Sequence, residues 1–309
     1  MIEEKYMRRA LQLARGGEGR VAPNPMVGAV VVANGRIIGE GFHRTYGGPH
    51  AEVNAIASVL PEDRELLSEA TIYVTLEPCS HYGKTPPCAK LIIDTGIPHV
   101  VVGAPDPNPL VAGRGVRMMR EAGIRVDEDV LKDECIALNK RFMTAHTSGR
   151  PWIQLKWAES ADRRMAGVDE EGRPVPVRLS SLLSSVWMHR ERANVEAIMV
   201  GANTRRIDNP RLDVRYWGGR NPRVVDCSGE VDCRRLVEDL RKEGVTSLMV
   251  EGGAKLLNSF IREGLYDEVR VETSPVVLGE GLRAPAIPED VHFEKTERCR
   301  GNIIAFYRR

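Results

Sequence analysis

The residues with the clearest chemical potential lie between His50 and Cys88. Pro49-His50-Ala51-Glu52 comes first, Pro78-Cys79 follows, and Pro87-Cys88 closes the stretch. One imidazole and two thiolates are ligands that zinc takes, and three protein ligands leave its fourth position open for water. Glu52, two residues after the histidine, is placed to move protons for that water without being a ligand. The spacing therefore predicts one zinc ion per chain, held by His50, Cys79 and Cys88, with Glu52 as the catalytic residue.

The same segments narrow the chemistry to hydrolysis of an amino group on a nucleobase-like ring. Zinc deaminases carry H-x-E first and a Pro-Cys ligand segment second, and their glutamate acts as general acid and base. Their usual second segment is P-C-x-x-C, whereas here the second cysteine comes nine positions after the first. A structural zinc site with an uninvolved Glu52 is the alternative.

Composition sets limits on the class of protein. A chain of 309 residues predicts about two domains, and 42% apolar with 28% charged residues is ordinary for a soluble globular protein. A net charge of +1 and only 5% aromatic residues argue against a nucleic-acid-binding surface. No apolar run approaches the roughly 18 residues of a membrane span, and the N-terminus lacks the pattern of a signal peptide. Six cysteines in a chain this long do not indicate a disulfide framework, so a reducing cytoplasm is expected.

Hydrophobic periodicity predicts an α/β domain around the candidate zinc ligands. A hairpin turn is expected at Asn34-Gly35 between two strands, and helices then alternate with strands. This arrangement places ligands at two helix N-termini beside a strand end, where the helix dipole favours thiolate over thiol at Cys79 and Cys88. The predicted helices are 4–15, 50–60, 87–95, 115–122 and 131–147, and the predicted strands are 27–33, 36–41, 71–76 and 99–103.

A second domain is predicted after the turn-forming cluster Thr147-Ser148-Gly149-Arg150-Pro151. The boundaries are therefore 1–147 for the first domain and 150–309 for the second. No G-x-G-x-x-G fingerprint follows a strand in the second domain, so a Rossmann fold is not inferred. Gly252-Gly253 before a helix still allows backbone amides to meet a phosphate, although a plain tight turn is the alternative. The predicted strands are 152–157, 195–201, 223–226, 247–250, 268–272 and 303–307, and the predicted helices are 180–192, 232–243 and 255–262.

Over essentially its whole length the chain resembles the bifunctional deaminase/reductase family of riboflavin biosynthesis. The motifs of the first half are highly specific, and those of the second half are looser. In the first half they are Pro23-Asn24-Pro25-x-Val27-Gly28, Pro49-His50-Ala51-Glu52, Glu77-Pro78-Cys79-Ser80-His81, Lys84-Thr85-Pro86-Pro87-Cys88 and Asp106-Pro107-Asn108-Pro109. In the second half they are Ile153-Gln154-Leu155-Lys156, Asp208-Asn209-Pro210 and Val250-Glu251-Gly252-Gly253.

The resemblance implies a fold and a two-step activity. The expected fold is a cytidine-deaminase-like α/β/α sandwich followed by a shortened dihydrofolate-reductase-like α/β domain. The expected reactions are zinc-dependent deamination of a diaminohydroxy-pyrimidine ribosyl phosphate, then NADPH-dependent reduction of its ribosyl chain to ribityl. The implied partners are this small-molecule substrate and further copies of the chain in a homo-oligomer, with no nucleic acid and no membrane.

The resemblance also implies roles for individual residues beyond the zinc ligands. In the deaminase half, the implied substrate-binding residues are Asn24, His43, His81 and Lys84. In the reductase half, the implied substrate-binding residues are Lys156, Arg192, Leu212, Arg215 and Glu251, with the two arginines on the phosphate. The implied NADPH-binding residues are Glu159, Thr204, Asp208, Cys227, Gly253, Ala254 and Lys255, within a segment that runs on to Ser259.

Several of these residues have simpler alternative roles. His43 is also explained as a loop-capping residue, Asn24 as part of the turn between two prolines, and Lys156 as a surface lysine at a strand edge. Cys135, Cys227, Cys233 and Cys299 are scattered, so buried packing is the better explanation for them.

The second half departs from the family pattern at four places. The usual Ser-Leu-Asp-Gly is Ser160-Ala161-Asp162-Arg163 here, and the usual Ser-x-Trp-Ile-Thr is replaced by residues 176–180. Cys227 stands at the position where a serine commonly follows the strand-ending Asp226. Asp226–Asp232 also runs almost directly into a helix, where typical members have several dozen further residues. Either this chain has lost part of the sheet or residues are missing from the sequence.

Three other functions remain as alternatives to the bifunctional enzyme. The first is a deaminase whose second half is a weak reductase that serves assembly or substrate binding. A nucleic-acid-editing deaminase is disfavoured by the neutral charge, the few aromatics and the long Cys79–Cys88 spacing. A non-enzymatic zinc-stabilised protein would be indifferent to the loss of Glu52.

Overall fold

A computed structural model describes residues 2–82, 86–108, 112–226 and 231–309 of the chain. The chain forms two compact units, Met1–Ser148 and Gly149–Arg309. Two predicted site residues, Lys84 and Cys227, lie outside the described residues, as does Pro109 of the Asp106–Pro109 motif. No helix in the described ranges is long and apolar enough to cross a membrane.

The N-terminal unit is built on a five-stranded sheet in the order β2-β1-β3-β4-β5. β1 is antiparallel to β2 and β3, and β3, β4 and β5 run parallel. The strands are β1 Gly28–Ala33, β2 Arg36–Phe42, β3 Thr71–Leu76, β4 His99–Ala104 and β5 Arg125–Asp127. The helices are α1 Glu4–Ala14, α2 Ala51–Ala57, α3 Cys88–Thr95, α4 Arg114–Glu121, α5 Lys132–Leu138 and α6 Lys140–Thr147, with 3-10 turns at Arg15–Gly17 and Pro61–Glu69.

Helices cover both faces of this sheet. β1 is a run of small and β-branched residues that is buried along its whole length, as expected for a strand packed on two sides. Ala29 and Val31 pack with α2, α3 and α4, whereas Val30 and Val32 pack with α1, α5 and α6. The result is the α/β/α sandwich that the resemblance implies.

The long helix predicted over 131–147 is wrong, because the chain forms two helices, α5 and α6, that meet at Asn139. Asn139 has a non-helical conformation, with φ −111° and ψ 30°. Its side-chain amide is hydrogen-bonded to both backbone polar groups of Met26, at 2.8 and 2.9 Å. This tertiary contact outweighs the helical pattern of the surrounding sequence.

The C-terminal unit is built on a seven-stranded sheet in the order β10-β9-β11-β6-β12-β15-β14. The first five strands are parallel, and β15 and β14 complete the sheet antiparallel. The sheet strands are β6 Trp152–Glu159, β9 Ala197–Met199, β10 Arg223–Val225, β11 Ser247–Glu251, β12 Glu268–Thr273, β14 His292–Cys299 and β15 Asn302–Arg308. A small sheet holds β7 Arg164–Val168, β8 Pro174–Val175 and β13 Leu282–Arg283, and the helices are α7 Leu182–Ala193, α8 Ala202–Asp208, α9 Cys233–Lys242 and α10 Ala254–Arg262.

The two faces of the large sheet differ in polarity. One face packs Ile153, Leu155 and Trp157 of β6 against apolar residues of α9 and α10. On the other face, charged side chains of β6, β11 and β12 lie beneath α7. Alternation along a strand separates these two sets, since successive side chains point to opposite faces.

Several elements of this unit escape prediction from the sequence. β14 is mostly exposed, half of its residues are charged, and it has no alternating pattern. Its antiparallel partner β15 holds it in the sheet. β7, β8, β13 and α8 are short and carry little apolar periodicity. Lys156, for which a surface position at a strand edge is the alternative, lies in the middle of the sheet between β11 and β12.

Candidate active sites

The three predicted zinc ligands converge at the carboxyl end of β3. His50 is the residue before α2, Cys88 is the first residue of α3, and Cys79 lies in the loop after β3. Their three ligand atoms all lie within 4.8 Å of one another. Cys79 does not begin a helix, but its sulfur accepts the backbone N–H of Cys88 at 3.3 Å. The N-terminus of α3 therefore acts on both sulfurs.

The spacing of these atoms fits a tetrahedral zinc ion. The Nδ1 atom of His50 is 3.6 Å from the Cys79 sulfur and 3.3 Å from the Cys88 sulfur. Zn–S bonds of about 2.3 Å and Zn–N bonds of about 2.0–2.1 Å at tetrahedral angles place sulfur and nitrogen roughly 3.5 Å apart. The donor set and its separations thus suit zinc without rearrangement of the backbone.

Cys88 holds its thiol proton more strongly than Cys79 does. The hydrogen bond from the Cys88 thiol, together with His50, lowers the pKa of Cys79 to about 4. The same contact, together with burial, raises the pKa of Cys88. Zinc requires both groups as thiolates, so binding the ion releases this proton.

Glu52 lies on the first turn of α2 and is 3% exposed. Burial, and after it the negative sulfur of Cys79, raises the pKa of Glu52 to about 7. A carboxyl group that gains and loses its proton near neutral pH is suited to general acid–base catalysis. Glu52 therefore has both the position and the acidity of a proton carrier.

Glu77, in the segment before Cys79, has a structural role that the sequence did not reveal. Its buried carboxylate accepts backbone N–H groups of Gly113 at 2.9 Å and of Gly115 at 3.0 Å. Gly115 is required at the start of α4, because a Cβ atom there would lie 2.0 Å from the carbonyl oxygen of Pro78. α4 thus fixes the Glu77-Pro78 segment, and with it Cys79.

Asn24 and His43 form a second polar group beside the ligands. The Nδ2 atom of Asn24 is 3.2 Å from Nε2 of His43, and Nδ1 of His43 is 3.0 Å from the carbonyl oxygen of Pro49. Nδ1 therefore carries the proton and Nε2 accepts from Asn24. Burial lowers the pKa of His43, which keeps the ring neutral. The ring centres of His43 and His50 are 5.6 Å apart, so this pair borders the metal site.

The remaining deaminase residues from the sequence lie at the rim or beyond the described ranges. His81 is exposed in the loop after Cys79, and Lys84 lies outside the described residues. Asp106, which belongs to the Asp106–Pro109 motif, accepts the backbone N–H of Asn108 at 2.8 Å. Burial raises its pKa to about 6.

In the C-terminal unit, Lys156, Arg192 and Glu251 come together on the polar face of the sheet. Lys156 on β6 and Glu251 on β11 are register partners in a parallel pair. Arg192 on α7 donates to both carboxylate oxygens of Glu251, at 2.7 and 2.8 Å. Both side chains are buried, and this pairing holds the pKa of Glu251 at about 2 against the effect of burial.

Leu212 and Arg215 lie on the segment after α8. Leu212 is buried, and its φ of +54° marks a sharp turn. Arg215 pairs with Asp213, and its guanidinium lies over the ring of Tyr216 at 4.8 Å. Arg192 also donates to the Asp213 carbonyl oxygen, at 3.1 Å, which links the two arginines predicted to hold a phosphate.

Thr204 of α8 lies beside the turn between β11 and α10. Gly252 and Gly253 have φ values of +66° and +77°, which favour glycine. A Cβ atom at Gly253 would lie 3.1 Å from Oγ1 of Thr204. Thr204 and Gly253 are therefore brought together, followed by Ala254 and Lys255 in the first turn of α10. Asp208, at the end of α8, has its pKa raised by burial.

Glu159 points to the face of β6 opposite Lys156. Its carboxylate accepts the indole N–H of Trp157 at 2.9 Å and lies 3.8 Å from Arg163. The structure therefore separates Glu159 from the Lys156–Glu251 pair.

Arg163 has a backbone conformation that favours glycine. Its φ of +62° lies in the left-handed region, which costs a non-glycine residue about 1–2 kcal/mol. Its guanidinium donates to the Pro285 carbonyl oxygen at 2.7 Å. Asp162, beside it, accepts backbone N–H groups of Leu278 and Gly279, which keeps the turn in place despite the substitution.

Each half of the chain matches a known protein family. Residues 1–104 match the cytidine and deoxycytidylate deaminase zinc-binding region, and residues 151–302 match the RibD C-terminal domain. The riboflavin biosynthesis protein RibD of Aquifex aeolicus is 35% identical over all of this chain and 99% of its own length. The protein of the same name from Escherichia coli strain K12 is 35% identical over 92% of this chain and 90% of its own.

A solved structure gives the same result. The diaminohydroxyphosphoribosylaminopyrimidine deaminase/5-amino-6-(5-phosphoribosylamino)uracil reductase of Thermotoga maritima superposes with a TM-score of 0.87. It is 36% identical, and the match covers 99% of this chain and 98% of that one. The alignment with the Aquifex protein spans 359 positions, 50 more than the 309 residues of this chain, so this chain is shortened relative to that relative.

The donor set at His50, Cys79 and Cys88, the two matched domains and the full-length likeness agree with one another. The chain belongs to the RibD family of riboflavin biosynthesis proteins, bifunctional enzymes with a zinc-binding deaminase domain and a reductase domain.

Proposed function

We propose that the N-terminal unit deaminates 2,5-diamino-6-(5-phosphoribosylamino)pyrimidin-4(3H)-one and that the C-terminal unit then reduces the ribosyl chain with NADPH. The observation that carries the proposal is the convergence of three ligand atoms within 4.8 Å beside the buried Glu52. The likeness to the Thermotoga protein, whose description names both activities, supports the choice of substrate.

Glu52 does the proton work of the deamination. When bound at His50, Cys79 and Cys88, zinc lowers the pKa of its water from about 15.7 to about 7. Glu52 accepts a proton from the attacking water and passes it to the ring, which makes the guanidine-like carbon a better electrophile. The water oxygen bonds to that carbon, and Glu52 takes the second proton from the resulting hydroxyl group and gives it to the amino nitrogen. The carbon–nitrogen bond then breaks, ammonia leaves and the carbonyl forms.

Asn24 and His43 orient the pyrimidine in this proposal. The neutral ring of His43 is fixed by its hydrogen bond to the Pro49 carbonyl oxygen and accepts the amide N–H of Asn24. This orients the Asn24 side chain, whose carbonyl oxygen can then accept a ring N–H of the substrate. His81 and Lys84 are proposed to contact the substrate from the loop between the two cysteines.

The reductase half works mainly by alignment. Bound NADPH would supply the hydride that reduces C1 of the ring-opened substrate, and Lys156 is proposed to supply the proton that the substrate nitrogen takes up. Arg192 donates to both carboxylate oxygens of Glu251, and Glu251 is proposed to bind the sugar hydroxyls. Arg192, Leu212 and Arg215 are proposed to surround the phosphate. Thr204, Asp208, Gly253, Ala254 and Lys255 are proposed to hold NADPH, with Glu159 and Cys227 as further predicted contacts.

A second candidate function is an active deaminase whose C-terminal unit reduces weakly and serves assembly or substrate binding. One observation favours it: the 50-position difference from the Aquifex relative. The sequence places the shortening after Asp226, next to β10 at the outer edge of the large sheet. A deletion there would remove residues next to the segment proposed to bind NADPH.

Two assays on the purified zinc-loaded protein test the proposal. Ammonia release from the diamino substrate reports the first step, and NADPH oxidation with the deaminated product reports the second. Both activities are expected in the wild-type protein. Ammonia release without NADPH oxidation would select the second candidate, and the absence of ammonia release would refute the proposed deaminase.

A homo-oligomer and a cytoplasmic location stay predictions. The five cysteines in the described ranges, Cys79, Cys88, Cys135, Cys233 and Cys299, are free thiols, which suits a reducing compartment. Cys135, Cys233 and Cys299 are fully buried, so their predicted packing role is confirmed. Sedimentation of the purified protein would measure its oligomeric state.

A further inference from the structure

Lys156 has a second cation directly beside it. β6 and β12 are parallel neighbours, and Lys156 is the register partner of Arg270. Partners in adjacent strands point to the same face and lie about 4.8 Å apart. The ammonium of Lys156 and the guanidinium of Arg270 therefore share one face of the sheet. Away from water, where the dielectric constant is low, these like charges repel one another more strongly.

Arg270 is buried with most of its hydrogen-bonding capacity unused. It is 1% exposed, and its Nε and Nη1 atoms have no hydrogen-bond partner among the described residues. The Glu272 carboxylate, on the same strand, is 3.9 Å from Nη1, beyond hydrogen-bond distance. A buried donor without a partner destabilises the folded protein, so stability alone does not account for an arginine here.

The acids around Arg270 are occupied elsewhere. Glu272 accepts the hydroxyl of Ser180 at 3.0 Å and the amide of Asn302 at 2.6 Å. Glu251 is bound by both oxygens to Arg192. Glu268, two residues before Arg270 on β12, accepts a hydrogen bond from Nε2 of Gln154 at 2.5 Å. Among these acids, only Glu272 comes within ion-pair distance of the Arg270 guanidinium, at 3.9 Å and without a hydrogen bond, and the Phe306 ring lies 5.9 Å from the guanidinium carbon.

The charged groups around Lys156 come from three elements. β11 contributes Glu251, β12 contributes Arg270 and Glu272, and α7 contributes Arg192. Three cations, counting Lys156 itself, thus face two carboxylates. Ser180 and Asn302 hold Glu272, so its charge is fixed in place rather than free to approach the lysine.

We propose that Arg270 is a positioning residue of the reductase site: its buried charge, which among the described acids only Glu272 approaches and without a hydrogen bond, makes the neighbouring Lys156 release its proton readily during reduction. This inference rests on the proposed role of Lys156 as the proton donor. Burial is the main cause that lowers the pKa of Lys156, and the positive charges of Arg270 and Arg192 lower it further, while Glu251 and Glu272 raise it.

Two substitutions of opposite sign test the proposal on the full zinc-loaded protein. Arg270→Met removes the neighbouring cation and keeps the length of the side chain. Glu272→Gln removes a neighbouring anion and keeps an oxygen for Ser180 or Asn302. The pH dependence of acetylation of Lys156, measured by peptide mass spectrometry with exposed Lys242 as reference, reports the proton affinity of Lys156 without any need for turnover.

The midpoint for Lys156 acetylation is expected to rise in Arg270→Met, to fall in Glu272→Gln, and to return toward the wild-type value in Arg270→Lys. NADPH oxidation at neutral pH is expected to fall roughly tenfold in Arg270→Met, with its pH profile displaced to higher pH. This loss is smaller than the 10²-fold or more expected when a general acid is removed outright. Arg298→Met, which removes an exposed cation from β14, is the matched control and is expected to change neither readout.

The outcomes separate this proposal from the proposed function. A Lys156 midpoint that stays unchanged in Arg270→Met, in a protein that still oxidises NADPH, would overturn the role of Arg270 alone. A wild-type protein that oxidises no NADPH would overturn the reductase assignment and with it the catalytic meaning of the pair. Misfolding is not expected to obscure the result, because replacing a buried, poorly paired charge by an apolar side chain is often neutral or stabilising.

Discussion

The two units place their reactive groups in different parts of the fold. In the N-terminal unit, His50 and Cys79 lie in loops and Cys88 begins α3, all near the end of β3. In the C-terminal unit, Lys156, Glu251 and Arg270 lie within strands, on one face of the sheet. Loop residues are adjacent in sequence motifs, whereas residues of one sheet face come from distant strands. This difference explains why the sequence identifies the first site more completely than the second.

The units also handle buried charge differently. In the N-terminal unit, Glu52 is buried and pairs with no described lysine or arginine, and burial raises its pKa to about 7. The C-terminal unit pairs Glu251 with Arg192, and its pKa is lowered to about 2. A buried group that must exchange protons is left unpaired, and one that must stay charged is paired. The following four predictions test this contrast, beginning with the largest expected effect.

Glu52→Gln is expected to abolish deamination, with a loss of at least 10²–10⁴-fold in ammonia release, because the amide cannot carry the proton. NADPH oxidation with the deaminated product is expected to stay at the wild-type rate. Glu62→Gln, at an exposed position on the 3-10 turn, is the control. Deamination that survives in Glu52→Gln would favour a structural zinc site.

Arg192→Met is expected to destabilise the C-terminal unit by about 3–5 kcal/mol, because it leaves the charge of Glu251 buried without its partner. Chemical denaturation followed by a probe in each unit would measure this loss. The N-terminal unit should keep its zinc and its deaminase activity. A double variant, Arg192→Met with Glu251→Gln, should recover much of the stability, and a failure to recover it would show that the pair is not the cause.

Acid should affect the C-terminal unit through Glu251. Its pKa is lower in the folded protein, about 2, than the ordinary value of 4.5, so its stabilising contribution is present above pH 4.5. That contribution is lost as the pH falls from 4.5 toward 2. Thermal unfolding across this range should show a steeper decline for the wild-type protein than for the Arg192→Met, Glu251→Gln double variant. Equal slopes would contradict the pKa assigned to Glu251.

The smallest effect is expected at Arg163, where the chain departs from the family's glycine. Arg163→Gly and Arg163→Ala both remove the contact with Pro285, so the difference between them isolates the backbone. Arg163→Gly should be more stable by about 1–2 kcal/mol, since alanine keeps the unfavourable left-handed conformation. Denaturant midpoints of the two variants would measure the difference, and equal midpoints would show that the turn relaxes.

The structure brings together the three metal ligands predicted from the sequence, whereas the substrate and cofactor roles predicted for other residues stay predictions. The ligand set follows from residue types alone, and the strand at Thr71–Leu76 has the predicted bounds. Glu77 and Asn139 were missed because their roles depend on backbone partners, Gly113 and Met26, that no local pattern identifies. Arg270 was missed because its partner Lys156 is 114 positions away and becomes adjacent only when β6 and β12 pair.

The hydrogen bonds between Asn139 and Met26 have a practical consequence for dividing this protein. The deaminase family match ends at residue 104, and a fragment cut there would still contain all three metal ligands and Glu52. It would, however, lack Asn139, whose side chain is hydrogen-bonded to the backbone of Met26 and so holds the Asn24–Met26 loop. Such a fragment would also lack Gly113 and Gly115, which hold Glu77 and with it Cys79, so both the metal site and the Asn24–Met26 loop should be less ordered. A working excised deaminase therefore has to extend through α6.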